Sequence, residues 1–461
     1  MEMYLASHDF RAVGFALRLH AGANALDQLP VEVERQKARR AFVICGQTVA
    51  RKTDLPVRII AVLGPLYAGM FDAMDKDSSW PAVERALASA RAAKADLLIA
   101  LGGGSMNVGT RVVAILLAET GGPYSLMTQY PQGKPAYSPR LMAPKPPIIN
   151  VVTTPNTAMN RAGSALKNDT LDHRMEFYDP KTRPAALIWD ADALLSAPLA
   201  LIRSTATTNF STALRALGAA EMSPLAQADR RHAFALLHDG LPRIMDEPQN
   251  AARRIDLCAA AFLVNRADDD DQGRRRYRDR TGGSTYALAT AVHIRYGHVW
   301  QGEATSSVMP TVTRRTPPAD IGTAARIARA LGVWNKGMTA QAAAEATATA
   351  LDELYRNIGM PTRLRELEIP RGELPLLAND TLKNFNANPG DRPEDYTAQM
   401  LELLHAACRN IALRERQHGF WIAYRHARRG GDPGRDARSR PARRGDGSGL
   451  SGHQRPHHRR P

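Results

Sequence analysis

The residues best suited to chemistry are Gly102-Gly103-Gly104-Ser105. They follow the apolar run Asp96-Leu97-Leu98-Ile99-Ala100-Leu101 and precede a stretch with Val112, Val113, Ile115, Leu116 and Leu117. Strand, glycines, serine, helix is an order that suits an anion. Glycines let the backbone approach a pyrophosphate closely, and a helix start offers free N–H groups with partial positive charge. The segment is neither a Walker loop nor GxGxxG, and glycines serve plain tight turns equally well. A second polar turn, Thr153-Thr154-Pro155-Asn156-Thr157, follows the apolar run Ile148–Val152. Hydroxyls at the carboxyl end of a parallel strand face the ligand crevice, although Thr and Asn are also ordinary helix caps. Asp268-Asp269-Asp270-Asp271, followed by Arg274-Arg275-Arg276, suggests a metal at first sight. Adjacent carboxylates rarely converge on one ion and the EF-hand spacing is absent, so an exposed acidic and basic loop is expected there.

These turns need a sheet beneath them. Ala41–Gly46, Val57–Leu63, Asp96–Leu101, Ile148–Val152 and Ala185–Trp189 read as β-like runs. Pro81–Ala95 reads as a helix, with Val83, Leu87 and Ala90 at helical spacing and Pro81 in the first turn. The alternation predicts a parallel sheet covered by helices. Residues 123–147 hold seven prolines and read as a long surface loop. From Ala191 to Cys408 helical signatures dominate, with breaks at Thr316-Pro317-Pro318 and Asn388-Pro389-Gly390. The expected organisation is an α/β domain over 1–190, an all-α domain over 191–408 and a tail over 409–461.

Composition narrows the function classes. At roughly 150 residues per domain, 461 residues allow about two or three domains. The apolar fraction of 44% excludes wholesale disorder. No apolar run reaches the roughly 18–20 residues of a membrane span, and Met1–Phe15 lacks the layout of a signal peptide. Three scattered cysteines, Cys45, Cys258 and Cys408, suit a reducing cytoplasm and no CxxC zinc site. The net charge of +15 is concentrated: after Cys408 stand 14 Arg and 4 acids. With few aliphatic residues, the stretch from Arg428 is expected to be a disordered extension, and a nucleic-acid partner is not expected.

The two turns, in this order and about 50 residues apart, resemble the iron-containing alcohol dehydrogenase family. That family includes glycerol dehydrogenases and maleylacetate reductases and is related to dehydroquinate synthase. Ala93 to Ser105 is similar to the family's segment around its glycine turn, and Ile149 to Thr157 to its strand and threonine turn. Leu19-His20-Ala21-Gly22-Ala23, Arg174 to Pro180, Ala186 to Asp190, Gly302 to Pro310 and Met360 to Leu364 extend the resemblance over most of 15–408. It implies an N-terminal Rossmann-like nucleotide domain, a helical C-terminal domain and an active site between them. It implies hydride transfer between NAD or NADP and a small alcohol or carbonyl. Carried over by position, Gly102, Gly103, Gly104 and Ser105 would hold the pyrophosphate, and Thr153, Thr154 and Thr157 would line the nicotinamide and ribose side. A homodimer is the family's common assembly, with no interface specified by these residues.

The departures carry as much information. After the glycine turn the family has Asp and then Lys; here stand Val108 and Arg111, with Asn107 the nearest polar substitute. Where many NAD-using members have Asp at the end of the second strand, this chain has Gly46. A carboxylate there repels a 2′-phosphate, so its absence makes NADP acceptable. The family holds a divalent ion with an Asp and three His. The segment Thr208–Arg215 and the residues Tyr286, Thr290 and Gln301 occupy those places. Such donors are poor metal ligands, so no bound metal is expected. A carbonyl reduction still needs charge stabilisation and a proton donor. Candidates are His293, His298 and Tyr286, and Arg161, Arg174 and Arg295 could hold a substrate carboxylate. The expected activity is a metal-independent, NAD(P)-dependent reduction of a small carbonyl. Two readings stand beside it: a family member that binds nucleotide without turnover, and a metal-dependent dehydrogenase with relocated ligands.

Overall fold

The computed structural model describes residues 5–6, 8–132, 134, 136–270, 280–384 and 394–409. The described residues all belong to one compact unit, 1–410. The expected tail, the run Asp271 with Arg274–Arg276, and the break Asn388–Gly390 lie outside the described residues.

That unit begins with a six-stranded parallel sheet. Its strands in chain order are β1 (Arg18–Gly22), β2 (Ala41–Gly46), β3 (Tyr67–Met74), β4 (Leu97–Gly102) and β5 (Ile148–Val152). A separate antiparallel hairpin, β6 (Gly163–Leu166) and β7 (Met175–Tyr178), precedes the last sheet strand, β8 (Ala186–Asp190). The spatial order is β1-β8-β5-β4-β2-β3. Strands β2, β4, β5 and β8 are buried along their whole length, as unbroken apolar runs in a sheet covered on both faces must be. One face packs Phe42, Ile44, Leu98 and Ala100 against α1 (Trp80–Ala92) and α2 (Gly104–Ala118). The other packs Val43, Leu97, Ile99 and Val151 against Leu55, Ile59 and Leu63.

That last helix corrects one expectation. Val57–Leu63 is not a strand but part of a helix over Leu55–Leu63. Leu55, Ile59 and Leu63 are buried while Val57 and Ile60 are exposed. The apolar spacing is therefore four, a helical period hidden within a nearly continuous apolar run. Strand β3 went unread because it is a sheet edge, with only Phe71 and Met74 buried.

After Asp190 the unit is helical: α3 (Leu199–Ala216), α4 (Pro224–Asp246), α5 (Ala251–Asp270), α6 (Arg280–Arg295), α7 (Gln301–Arg315), α8 (Ile321–Ala330), α9 (Ala340–Asn357), α10 (Leu374–Asp380) and α11 (Tyr396–Cys408). Buried polar groups join this half to the sheet. Arg254, 1% exposed, donates to the carbonyls of Leu194 and Ala197 at 2.5 and 2.8 Å. Asn265 donates to the Thr157 carbonyl at 2.7 Å. Asp268 pairs with Arg161 at 3.4 Å and Asp269 with Arg183 at 2.7 Å. These two acids thus end helix α5 in ion pairs rather than standing in an exposed loop, because their carboxylates meet arginines that the sheet half presents.

Helices α3 and α7 touch backbone to backbone. The Gly302 amide donates to Ser204 Oγ at 3.1 Å, and a β-carbon on Gly302 would lie 1.9 Å from the Ser204 carbonyl oxygen. Gly302→Ala is expected to destabilise the fold by about 1–3 kcal/mol or more, as overpacking does. The check is the urea midpoint, which should fall without a change in slope.

Candidate active site

Strand β4 delivers its chain into a turn that only glycine fits. Gly102 has φ +139°, and a β-carbon there would lie 2.6 Å from Met106 Cγ. A β-carbon on Gly103 would come 3.2 Å from Thr154 Oγ1. The first intrahelical donors of α2 are Met106 and Asn107, both reaching back to the Gly103 carbonyl. The amides of Gly103, Gly104 and Ser105 therefore precede the helical ladder, on a half-buried face. Across the turn, the Thr153 amide donates to the Gly102 carbonyl at 3.1 Å. The two polar turns recognised in the sequence are one surface, at the carboxyl ends of adjacent strands β4 and β5.

Gly46 ends β2 beside them. A β-carbon there would lie 3.2 Å from the Met74 carbonyl oxygen and 3.3 Å from Met106 Cε, so a carboxylate side chain has no easy place. Asn107 sits one turn inside α2, wholly buried, with neither side-chain atom partnered. Thr157 opens a short 3₁₀ turn, Thr157–Asn160. Arg111, also buried, donates to Ser164 Oγ at 2.9 Å and to the carbonyls of Ala158 and Gly163 at 2.5 and 2.9 Å. It props the threonine turn from behind.

The Ser105 hydroxyl has a structural task. It accepts the Asp77 amide at 3.0 Å, and the Ser105 carbonyl accepts Ser78 Oγ at 2.5 Å. Asp77 and Ser78 are both left-handed, at φ 64° and 50°. This loop then crosses to the helical half. Lys76 Nζ donates to the carbonyls of Gly297 and Val299 at 2.6 and 2.8 Å and lies 5.1 Å from the Trp300 ring centre. The Asp77 carboxylate stands 3.9 Å from Nδ1 of His293 on α6.

Asp77 thus links His293 to Ser105 of the glycine turn, its amide on the Ser105 hydroxyl and its carboxylate beside the imidazole. Nε2 of His293 is buried without a partner. Burial, with the charges of Arg174 and Lys76 adding to it, holds the imidazole well below its ordinary range. Thr290 and Tyr286 occupy the same helix face at spacings of three and seven residues; Thr290 Oγ1 is buried and unpartnered, and Tyr286 is half-buried. His298 is not brought in. It lies exposed between α6 and α7, where its Nε2 meets the Leu367 carbonyl at 3.2 Å. Lys76 and Asp77 are the site residues that the sequence reading missed. Their one signal was the polar run Asp75-Lys76-Asp77-Ser78-Ser79 just ahead of a helix start.

The sequence profile of the iron-containing alcohol dehydrogenases matches residues 17–191, and that of the C-terminal domain of the Fe-containing alcohol dehydrogenase family matches 209–408. The chain belongs to the iron-containing alcohol dehydrogenase family. It is an oxidoreductase of that family by descent. The 1,3-propanediol dehydrogenase of Klebsiella pneumoniae is 25% identical over 69% of this chain and 78% of its own. Maleylacetate reductase 2 of Cupriavidus pinatubonensis is 26% identical over 56% and 63%. The solved alcohol dehydrogenase of Oenococcus oeni shares the fold at a TM-score of 0.73 and 17% identity, covering 87% of this chain and 100% of its own.

The family's divalent ion does not suit the residues here. Asn209 spends its amide on the Pro155 carbonyl. Thr208 and Thr212 hydroxyls donate to carbonyls of their own helix at 3.4 and 3.2 Å. Among the described residues no three His, Cys, Asp or Glu side chains converge, and neutral hydroxyl and amide donors bind such ions poorly.

The state of His293 bears on stability. Because its native affinity for a proton is depressed, the unfolded chain binds more protons below about pH 6.5. The stabilisation of the neutral form is complete above that pH and declines as pH falls through it. In thermal unfolding between pH 7.5 and 5, His293→Gln is expected to flatten the acid-side decline; an unchanged slope would assign the decline to other groups.

Proposed function

We propose that the protein is an NAD(P)-dependent reductase of a small carbonyl compound that works without a metal ion. The observation that supports it best is the contact of the Gly102–Ser105 turn with Thr153–Thr154, together with the Asp77 link from Ser105 to His293. The amides of Gly103, Gly104 and Ser105 would hold the pyrophosphate, and Thr153, Thr154 and Thr157 would border the nicotinamide ribose. A bound reduced nicotinamide supplies the hydride. His293, kept neutral, donates a hydrogen bond from Nε2 to the carbonyl oxygen, an arrangement in which a neutral imidazole polarises the substrate. Arg174 and Lys76 supply the positive field that stabilises the oxygen as charge develops on it, which counts most in a site shielded from water. The Asp77 carboxylate stands 3.9 Å from Nδ1, which carries no hydrogen when Nε2 is the donor, so it acts there by its charge and not as a hydrogen-bond partner. The name of the maleylacetate reductase relative fits a carbonyl substrate.

Gly46 sets the coenzyme preference. With no carboxylate at the end of β2, a 2′-phosphate meets no repulsion. NADPH is expected to bind at least as tightly as NADH when followed by coenzyme fluorescence, and Gly103→Val is expected to abolish binding by filling the space against Thr154. Failure of the wild type to bind either coenzyme would end this assignment. In a carbonyl panel, His293→Gln should lower kcat by about 10²- to 10⁴-fold while leaving coenzyme affinity within twofold. Binding of coenzyme with no oxidation by any carbonyl would favour a nucleotide-binding protein without turnover.

A further inference from the structure

The threonine turn is held by its carbonyls. Those of Pro155, Thr157, Ala158 and Met159 are each taken by a side-chain donor from a different element. Asn150 of β5 donates to the Met159 carbonyl at 2.7 Å, and Arg111 of α2 to the Ala158 carbonyl at 2.5 Å. The other two donors come from the helical half. Asn209 of α3 donates to the Pro155 carbonyl, and Asn265 of α5 to the Thr157 carbonyl at 2.7 Å. All four side chains are at most 2% exposed.

Asn265 is fixed in orientation. Its Oδ1 accepts Arg161 Nε at 2.5 Å, so its amide nitrogen faces the turn, where it also donates to Asn160 Oδ1. Asn209 lies in the segment 208–215, which stands where the family has its first metal ligands. The fold gives that place another task. A buried carbonyl without a donor carries the cost of its lost water, so these amides decide where the turn sits.

The same bonds change what the turn offers. Carbonyl oxygens repel an anionic ligand, and all those of residues 154–159 have donors. The Asn156 and Met159 amides meet the remaining two, of Thr154 and Asn156, at 2.8 and 3.4 Å. The amides of Thr154 and Thr157 meet no acceptor among the described residues. What the turn has left to pair is N–H, which suits the oxygen-rich backbone of a dinucleotide.

Building on the proposed coenzyme site, we infer that Asn209 and Asn265 are positioning residues for the coenzyme. Through the carbonyls of Pro155 and Thr157 they make the affinity of a turn in the sheet half depend on the helical half. Both act through the backbone of the turn, so their effect falls on binding and not on the chemical step.

The test follows NADPH and NADH binding by coenzyme fluorescence in Asn209→Ala and Asn265→Ala, well below the thermal midpoint of each. Each variant should bind about tenfold more weakly, the scale of one unmade buried hydrogen bond. KM for the coenzyme should rise in step, while kcat at saturating coenzyme stays within about threefold of wild type. Arg254→Met is the control. Arg254 leaves the same helix α5 but bonds to the carbonyls of Leu194 and Ala197, so this variant should lose thermal stability and keep coenzyme affinity within about twofold. A merely structural role for the asparagines predicts that same pattern for them. A lowered midpoint with unchanged affinity in both Ala variants therefore overturns the inference and leaves the reductase assignment standing. Failure of the wild type to bind either coenzyme ends both. A second measurement needs no variant. In amide hydrogen exchange of the wild type, saturation with the tighter-binding of NADPH and NADH should slow exchange around Asn209 and Asn265 as well as at residues 153–160. It should leave α9, which packs on α7 and α8, unchanged. Protection confined to the sheet half overturns the inference even if the Ala variants do not fold.

Discussion

The site depends on the absence of a side chain at Gly102. Its φ of +139° and the 2.6 Å that a β-carbon would leave to Met106 allow one residue type. Because the chain turns there, α2 starts directly after β4, and the amides of Gly103 to Ser105 precede its hydrogen-bond ladder. Because Gly103 is also bare, the turn settles against Thr154. Any bulk at either position would push the turn away from Thr154 or Met106, and with it the surface proposed for a diphosphate.

From that turn the polar contacts run outward to the helical half. Ser105 holds the Asp77 loop, Lys76 carries that loop to the carbonyls before α7, and Asp77 meets His293. On the other flank Asn265 and Arg161 bind the threonine turn to α5. The imidazole is therefore enclosed by elements from both halves. Enclosure is what keeps it neutral: desolvation penalises the charged form, and two nearby cations penalise it further.

The proposed chemistry rests on which residues stand where the resemblance puts metal ligands. Where the family places metal ligands, this chain has amides and hydroxyls bonded to their own backbone surroundings. In the proposed reading, Lys76 and Arg174 take over the positive charge that a metal ion would supply. Arg111, which stands where the family has Lys, is wholly buried and acts as a prop rather than as part of the cleft. Two positively charged residues with similar sequence prospects thus have different fates, decided by depth.

Buried strands and glycine turns were legible in the residues alone, because their signals are local: a continuous apolar run, a break, a helix start. Ala41–Gly46, Ile148–Val152 and the turn at Gly102 are read within a dozen residues, and so is the sheet-then-helix order of the chain. The helix at Leu55–Leu63 and the edge strand β3 were not, since one hides its period in an apolar run and the other is only half covered. The choice between His293 and His298, and among Arg161, Arg174 and Arg295, belongs to tertiary structure alone. Each residue has the same titratable group and ordinary neighbours in sequence. What separates them is a partner more than 60 residues away, such as Leu367 for His298, Asp380 for Arg295 and Asp268 for Arg161. Burial and pairing are properties of packing, and only the folded chain assigns them.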